Sequence, residues 1–134
     1  MLPRPPSPLP LLVAGLAQQT PDWIGAHLDG CLAYPGAPDD HLHRAAAWRR
    51  VAGDKPYISF IHLDLVEDAD APLRRFRFGA QAGRRALIEE LRALHASGVH
   101  HIGLHLRRNT RPLDETLREI AEEVLPHFLS LIHI

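Results

Sequence analysis

The feature that most constrains this chain is an order: four short apolar runs, each followed by a stretch of helical periodicity. Leu9–Ala14 (LPLLVA) is apolar throughout and ends at Gly15, the pattern of a buried strand. Thr20-Pro21 then offers a hydroxyl N-cap with proline at the first helical position, and the next helix directs Trp23, Ile24 and Leu28 toward a core. Cys31–Tyr34 (CLAY) reads as a second strand closed by Pro35-Gly36, and Asp39–Val51 as a second helix with Leu42, Ala45, Ala46 and Trp48 inward. Tyr57–Leu65 (YISFIHLDL) is the clearest strand, with Tyr57, Ser59, Ile61, Leu63 and Leu65 on one face and Ile58, Phe60, His62 and Asp64 on the other. A long connection rich in Asp and Arg, Val66–Ala82, precedes the amphipathic segment Gly83–Ser97, whose Leu87, Ile88, Leu91 and Leu94 recur at helical spacing before Gly98. His101–Leu106 is a fourth strand. Pro112–Phe128 is a fourth helix, with Leu113, Leu117, Ile120, Ala121, Val124 and Phe128 on one stripe.

This alternation predicts an α/β fold with a parallel sheet and helical crossovers, either doubly wound or part of an eight-fold barrel. A whole (β/α)8 barrel takes about 250 residues, so the four βα units in these 134 residues amount to half of one. Residues 1–8, with Pro3, Pro5, Pro6 and Pro8, form an extended lead-in that cannot start a helix. Residues 129–134 (LSLIHI) resemble the translation of an adaptor used in preparing sequencing libraries and stand outside the fold reading of 9–128.

Composition narrows the partners. Fifteen Lys plus Arg against 16 Asp plus Glu give a net charge of −1, which provides no general basic field for nucleic acid or an anionic membrane. The single cysteine, Cys31, forms no internal disulfide, and no apolar run reaches the length of a membrane span, so the expected setting is cytoplasmic.

Several motifs together carry a family resemblance. They are Pro10-Leu-Leu-Val-Ala-Gly15, Gln18-Gln-Thr-Pro-Asp-Trp-Ile24, His27-Leu-Asp-Gly30, Lys55-Pro-Tyr57, Asp64-Leu65 and Arg77-Phe-Gly79. Gly83-Arg84-Arg-Ala-Leu-Ile88, Gly98-Val-His-His-Ile102, Arg111-Pro112 and Glu122–Phe128 complete the series. In order and spacing the chain, from Pro8 to Phe128, resembles the C-terminal half of the luciferase-like monooxygenases, the bacterial flavin-dependent oxidoreductases of that class. The resemblance implies four βα units of a TIM-type (β/α)8 barrel, its fifth to eighth strands, with Val66–Ala82 as the family's insertion after the seventh. It implies reduced FMN, or coenzyme F420 in some branches, used with O₂ on a small organic substrate. It further implies a separate flavin reductase as partner and catalytic residues in the other half. A different expectation is a non-catalytic half-barrel that self-associates or complements a missing half through two open edge strands, Leu9–Ala14 and His101–Leu106. A phosphate-binding lyase or isomerase barrel fits the periodicity but not the motif series.

Barrel chemistry sits at the C-terminal ends of the strands. The loop Gly15, Leu16, Ala17, Gln18 and Thr20 joins such an end to a helix start, and the resemblance places the flavin phosphate there. Relatives carry Ser or Gly where this chain has Leu16 and Ala17, which leaves backbone donors and Thr20; Thr20-Pro21 reads equally as a plain helix cap. His62 and Asp64 end the third strand on the Phe60 face, where Asp64 either contacts a flavin ring, orients His62, or belongs to a satisfied polar pair. Arg74, Arg75, Arg77 and Arg84 either cover an anionic cofactor or form a solvated loop. The His41/His43 and His101/His105 pairs lack further ligands, so no metal is expected. Cys31 reads as core rather than nucleophile.

Overall fold

A computed structural model describes residues 9–15 and 18–131, and the side chains up to 128. Leu16, Ala17, the lead-in 1–8 and residues 132–134 lie outside the described residues. The elements are β1 (Leu12–Ala14), α1 (Pro21–His27), β2 (Gly30–Ala33), α2 (Pro38–Ala52), β3 (Tyr57–Leu65), β4 (Arg74–Phe76), β5 (Gly79–Ala82), α3 (Arg84–Ala96), β6 (His101–His105) and α4 (Leu113–Glu119). The fold is mixed α/β, with one curled, half-barrel sheet backed by four helices.

Strand β3 organises the sheet. It pairs in parallel with β2 through Tyr57–Ser59, with β5 through His62–Leu65, and with β6 through Ile58–His62. Backbone groups of successive strand residues point to opposite edges. Pro56 O accepts from Cys31 N, and His62 N and Val66 N donate to Phe78 O and Ala82 O, so β2 and then β5 occupy one edge of β3. Tyr57 O accepts from His100 N on the other edge. The parallel path is therefore β1-β2-β3-β6, sequential in the chain, with the β4–β5 hairpin added where β2 stops. Among the described residues β1 pairs only with β2, and β6 only with β3, so both outer strands have a free edge.

The hairpin corrects the reading of Val66–Ala82 as a plain connection, and its antiparallel β4–β5 pair corrects the expectation of a wholly parallel sheet. Gly79 makes the close approach possible, because a Cβ there would collide with the carbonyl of His62.

The alternation in β3 sets the two sides of the sheet. Tyr57, Leu63 and Leu65 pack against Ala45 and Trp48 of α2 and Leu87, Leu91 and Leu94 of α3. Each fully buried side chain of this size contributes about 1.5–3 kcal/mol. The even face, Ile58, Phe60, His62 and Asp64, is concave and carries no helix; register adds Leu12, Leu32, Gly103 and His105 to it.

Helix interiors differ from expectation in instructive places. In α2 the inward positions are His41, Ala45 and Trp48, while Leu42 and Ala46 face solvent. His41 is buried because its Nδ1 lies 2.8 Å from the Tyr57 hydroxyl. Trp23 is half-exposed, stacked on His27 at 4.4 Å. Helix α3 ends where Gly98 takes φ +106°, a conformation that disfavours other residues. The stripe after Pro112 is no uniform helix: α4 gives way to a π turn at Ile120–Val124 and a 3-10 turn at Leu125–Leu131. Pro126 has no N–H for a continuing α ladder, and the Leu125 N–H reaches back to Ile120 O instead. No helix among the described residues is long and apolar enough to cross a membrane.

Candidate active site at the sheet's C-terminal end

The C-terminal ends of β3, β5 and β6 converge on Asp64. Its Oδ1 accepts from the Thr110 amide at 3.1 Å and the Thr110 hydroxyl at 2.9 Å, and its Oδ2 accepts from Gln81 Nε2 at 3.0 Å. Only 5% exposed, Asp64 is a buried hub that ties β3 to the hairpin and to the loop after β6. Among the described residues it makes no hydrogen bond to His62, so it neither orients that ring nor forms a polar pair with it; its oxygens are taken up by Thr110 and Gln81 instead.

His62 instead stacks on His105, its register partner, with ring centroids 4.4 Å apart and planes within 9°. Phe60 lies 5.8 Å away on the same face. Partial desolvation, then the positive charge of His105, Arg108 and Arg107, holds His62 below the usual imidazole range. At neutral pH it is an uncharged ring on the concave face, able to accept a proton.

The four arginines singled out in sequence separate. Arg75 points to the helix side, where it holds Glu90 of α3 in a two-pronged pair at 2.6 and 3.0 Å. Arg84 leaves the group: at the start of α3 it reaches Glu119 at 3.3 Å, a carboxylate shared with Arg111 at 2.6 Å. Arg74 and Arg77 line a cleft of about 510 Å³ with Phe76, Asp64, Gln81 and Arg108, and Arg75, although its guanidinium is held by Glu90, also borders it. The Arg77 guanidinium lies 5.0 Å over the Phe78 ring. Gln81, Thr110, His105 and Arg108 were not recognised from sequence as mouth residues. Their only signal was position, immediately beyond or across from a strand's C-terminal end.

At the end of β1, Gly15 has φ +75° with no atom of the described residues beyond its chain neighbours within 4 Å of the place a Cβ would take, and Gln18 has φ +60°. Thr20 Oγ1 accepts from Trp23 N at 3.2 Å, capping α1 and leaving its own O–H free to donate. Gly15 also borders an apolar cavity of about 380 Å³ on the helix side, walled by Val13, Ile24, Cys31 and Trp48. Burial pushes the Cys31 thiol up, against nucleophilic use. The described His, Cys, Asp and Glu residues form no group of three able to hold a metal; His41 faces Tyr57, and His43 is exposed.

No protein-family model matches this chain, and no curated protein matches it. The site geometry therefore carries the functional argument together with the motif series.

Proposed function

We propose that the chain is the C-terminal half of a TIM-type (β/α)8 barrel of the luciferase-like monooxygenase kind, acting with reduced FMN or coenzyme F420 and O₂ on a small organic substrate. The observation that carries the reading is the sequential parallel path β1-β2-β3-β6 with a free edge at each end and an uncovered concave face. An arc of four strands, open on both sides, is what half of an eight-stranded barrel requires. The hairpin supports the reading further, because it stands within the segment where the resemblance expects an insertion.

The residues present fit a flavin phosphate. Gly15 offers backbone with open space beside it, and Thr20 keeps a hydroxyl proton to donate. Gly15, Leu16, Ala17, Gln18 and Thr20 would hold the phosphate; Ile58 and Phe60 supply apolar surface that excludes water, and His62 accepts a proton. Bound reduced flavin supplies the electrons that activate O₂, and a separate flavin reductase supplies the reduced flavin. Half a barrel holds half the contacts, so the isolated chain binds flavin weakly and does not oxygenate substrate.

A second reading, a half-barrel that associates with itself, is favoured by one observation: exposed Leu9, Leu11 and Leu12 run up to and along the free β1 edge. Titrating FMN with the purified chain separates the two. Saturable quenching of flavin fluorescence is the expected result. Unquenched FMN at high protein concentration, together with dimers in sedimentation, would overturn the flavin reading.

A further inference from the structure

We propose that the cleft between the β4–β5 turn and the loop after β6 is a phosphate-monoester site, gripped by Arg74, Arg77 and Arg108. The cleft holds about 510 Å³, room for a phosphate and part of the molecule that bears it. Among the described residues, none of the three arginines has a carboxylate within ion-pair distance. Three other arginines at this end of the sheet are neutralised, Arg75 on Glu90 and Arg84 and Arg111 on Glu119, whereas Arg107, next to Arg108, has no such partner among the described residues. Among the described residues, the one carboxylate on the cleft wall, Asp64, has both oxygens committed to Thr110 and Gln81.

The walls are also fixed in place. Register sets Arg74 beside Gln81 and Asp64 on one face of the sheet, while Arg75, which also borders the cleft, has its guanidinium pinned to α3 through Glu90. On the facing wall, Thr110 is anchored to Asp64, which holds the loop carrying Arg108. Two separate chain segments thus bring like charges to one cavity on rigid supports. Gln81 adds to the donors, since one amide N–H is used by Asp64 and the other is left over. Three guanidinium forks supply more donors than a carboxylate's two oxygens can use, and they match the three terminal oxygens of a phosphate monoester.

This site stands independently of flavin binding. Because the flavin phosphate is assigned to the Gly15–Thr20 loop, the phosphate gripped here is that of a phosphorylated substrate, and one experiment tests this. Inorganic phosphate and glycerol phosphate are titrated into the full chain, followed by NMR amide shifts. Saturable shifts at residues 74–81 and 106–110 are expected, with affinity falling about tenfold or more in Arg74→Gln/Arg108→Gln. Arg50→Gln on α2 serves as the charge control and should bind as the parent does. Should the double variant misfold, Arg77→Gln, whose guanidinium rests only on an exposed ring, gives the same loss. Simultaneous binding of phosphate and FMN is expected, whereas competition would move the flavin phosphate from the Gly15–Thr20 loop to this cleft and overturn its assignment to a substrate. A chain that binds phosphate but not FMN refutes the flavin reading and leaves this site standing. Equal phosphate affinity in the parent and the arginine variants, or acetate binding as tightly as phosphate, overturns the proposal.

Discussion

Asp64→Ala will cost about 3 kcal/mol or more of folding stability and will release the loop after β6. The carboxylate accepts three hydrogen bonds in a buried position, two from Thr110 and one from Gln81. Removing it strands the Thr110 amide and hydroxyl and the Gln81 amide, and each bond to a charged acceptor contributes about 1.5–3 kcal/mol. Partial rescue by water reduces the sum below three full bonds. Urea denaturation measures the loss, and Asp64→Asn, which keeps the acceptor Oδ1, should recover part of it. A loss under 1 kcal/mol in Asp64→Ala would show that the hub does not hold the mouth together.

Acidification will destabilise the protein through His41. Its ring is buried beside Tyr57, and burial, then the charge of Arg44, pulls its pKa below the ordinary value of 6.5; nearby Asp40 and Glu90 oppose this. The unfolded chain takes up a proton as pH falls through 6.5, while the folded chain does not. The unfolded state then binds more protons, so stability rises with pH in this window and is lost on going down. The loss approaches about 1.4 kcal/mol per pH unit for one such site and levels off once the folded His41 itself titrates. The partner hydroxyl adds nothing at acid pH, since burial pushes Tyr57 up to about 12. His62 is shifted in the same direction, so the comparison that isolates His41 is with His41→Gln. Urea midpoints between pH 7 and pH 5 should fall less steeply in His41→Gln than in the parent; parallel slopes would contradict the assignment.

How much of this was legible in the sequence depends on how long each pattern ran. Strand β3 was read to the residue because nine alternating positions leave one period and one register. Helix α3 was equally plain, with four leucines and isoleucines at helical spacing between Gly83 and Gly98. The hairpin was missed because β4 and β5 are three and four residues long, and Arg74-Arg75 reads as solvent-facing. Its strand character comes from pairing with β3, a contact no local pattern contains. Apolarity as the guide puts Leu42 inside and passes over His41; Tyr57, distant in sequence, supplies the partner that makes the histidine the buried residue. Leu117 shares the stripe of Ile120 and Val124 yet is 50% exposed, since the π turn rotates the later residues relative to α4.

At the mouth, the sequence located the strand ends but not their company. Asp64 and His62 were named, and the distance in sequence to Gln81 and Thr110 hid the hub. The arginine run reads as one group in sequence, whereas the fold pins Arg75 to Glu90 and sets Arg74 in register with Gln81 and Asp64. Arg108 entered through a fold-level contact alone. Each omission has one cause: function here is assembled from residues at the ends of different strands.

The central claim is an open arc of barrel, and hydrogen exchange on the chain under monomeric conditions tests it most directly. Strand β3, bonded along both edges, should show the slowest amides, as central strands do. Alternate amides of β1 and β6 that face away from their one neighbour should exchange orders of magnitude faster than those facing inward. Uniform slow exchange along both β1 and β6 in the monomer would mean that their outer edges are paired, and the half-barrel account would be wrong.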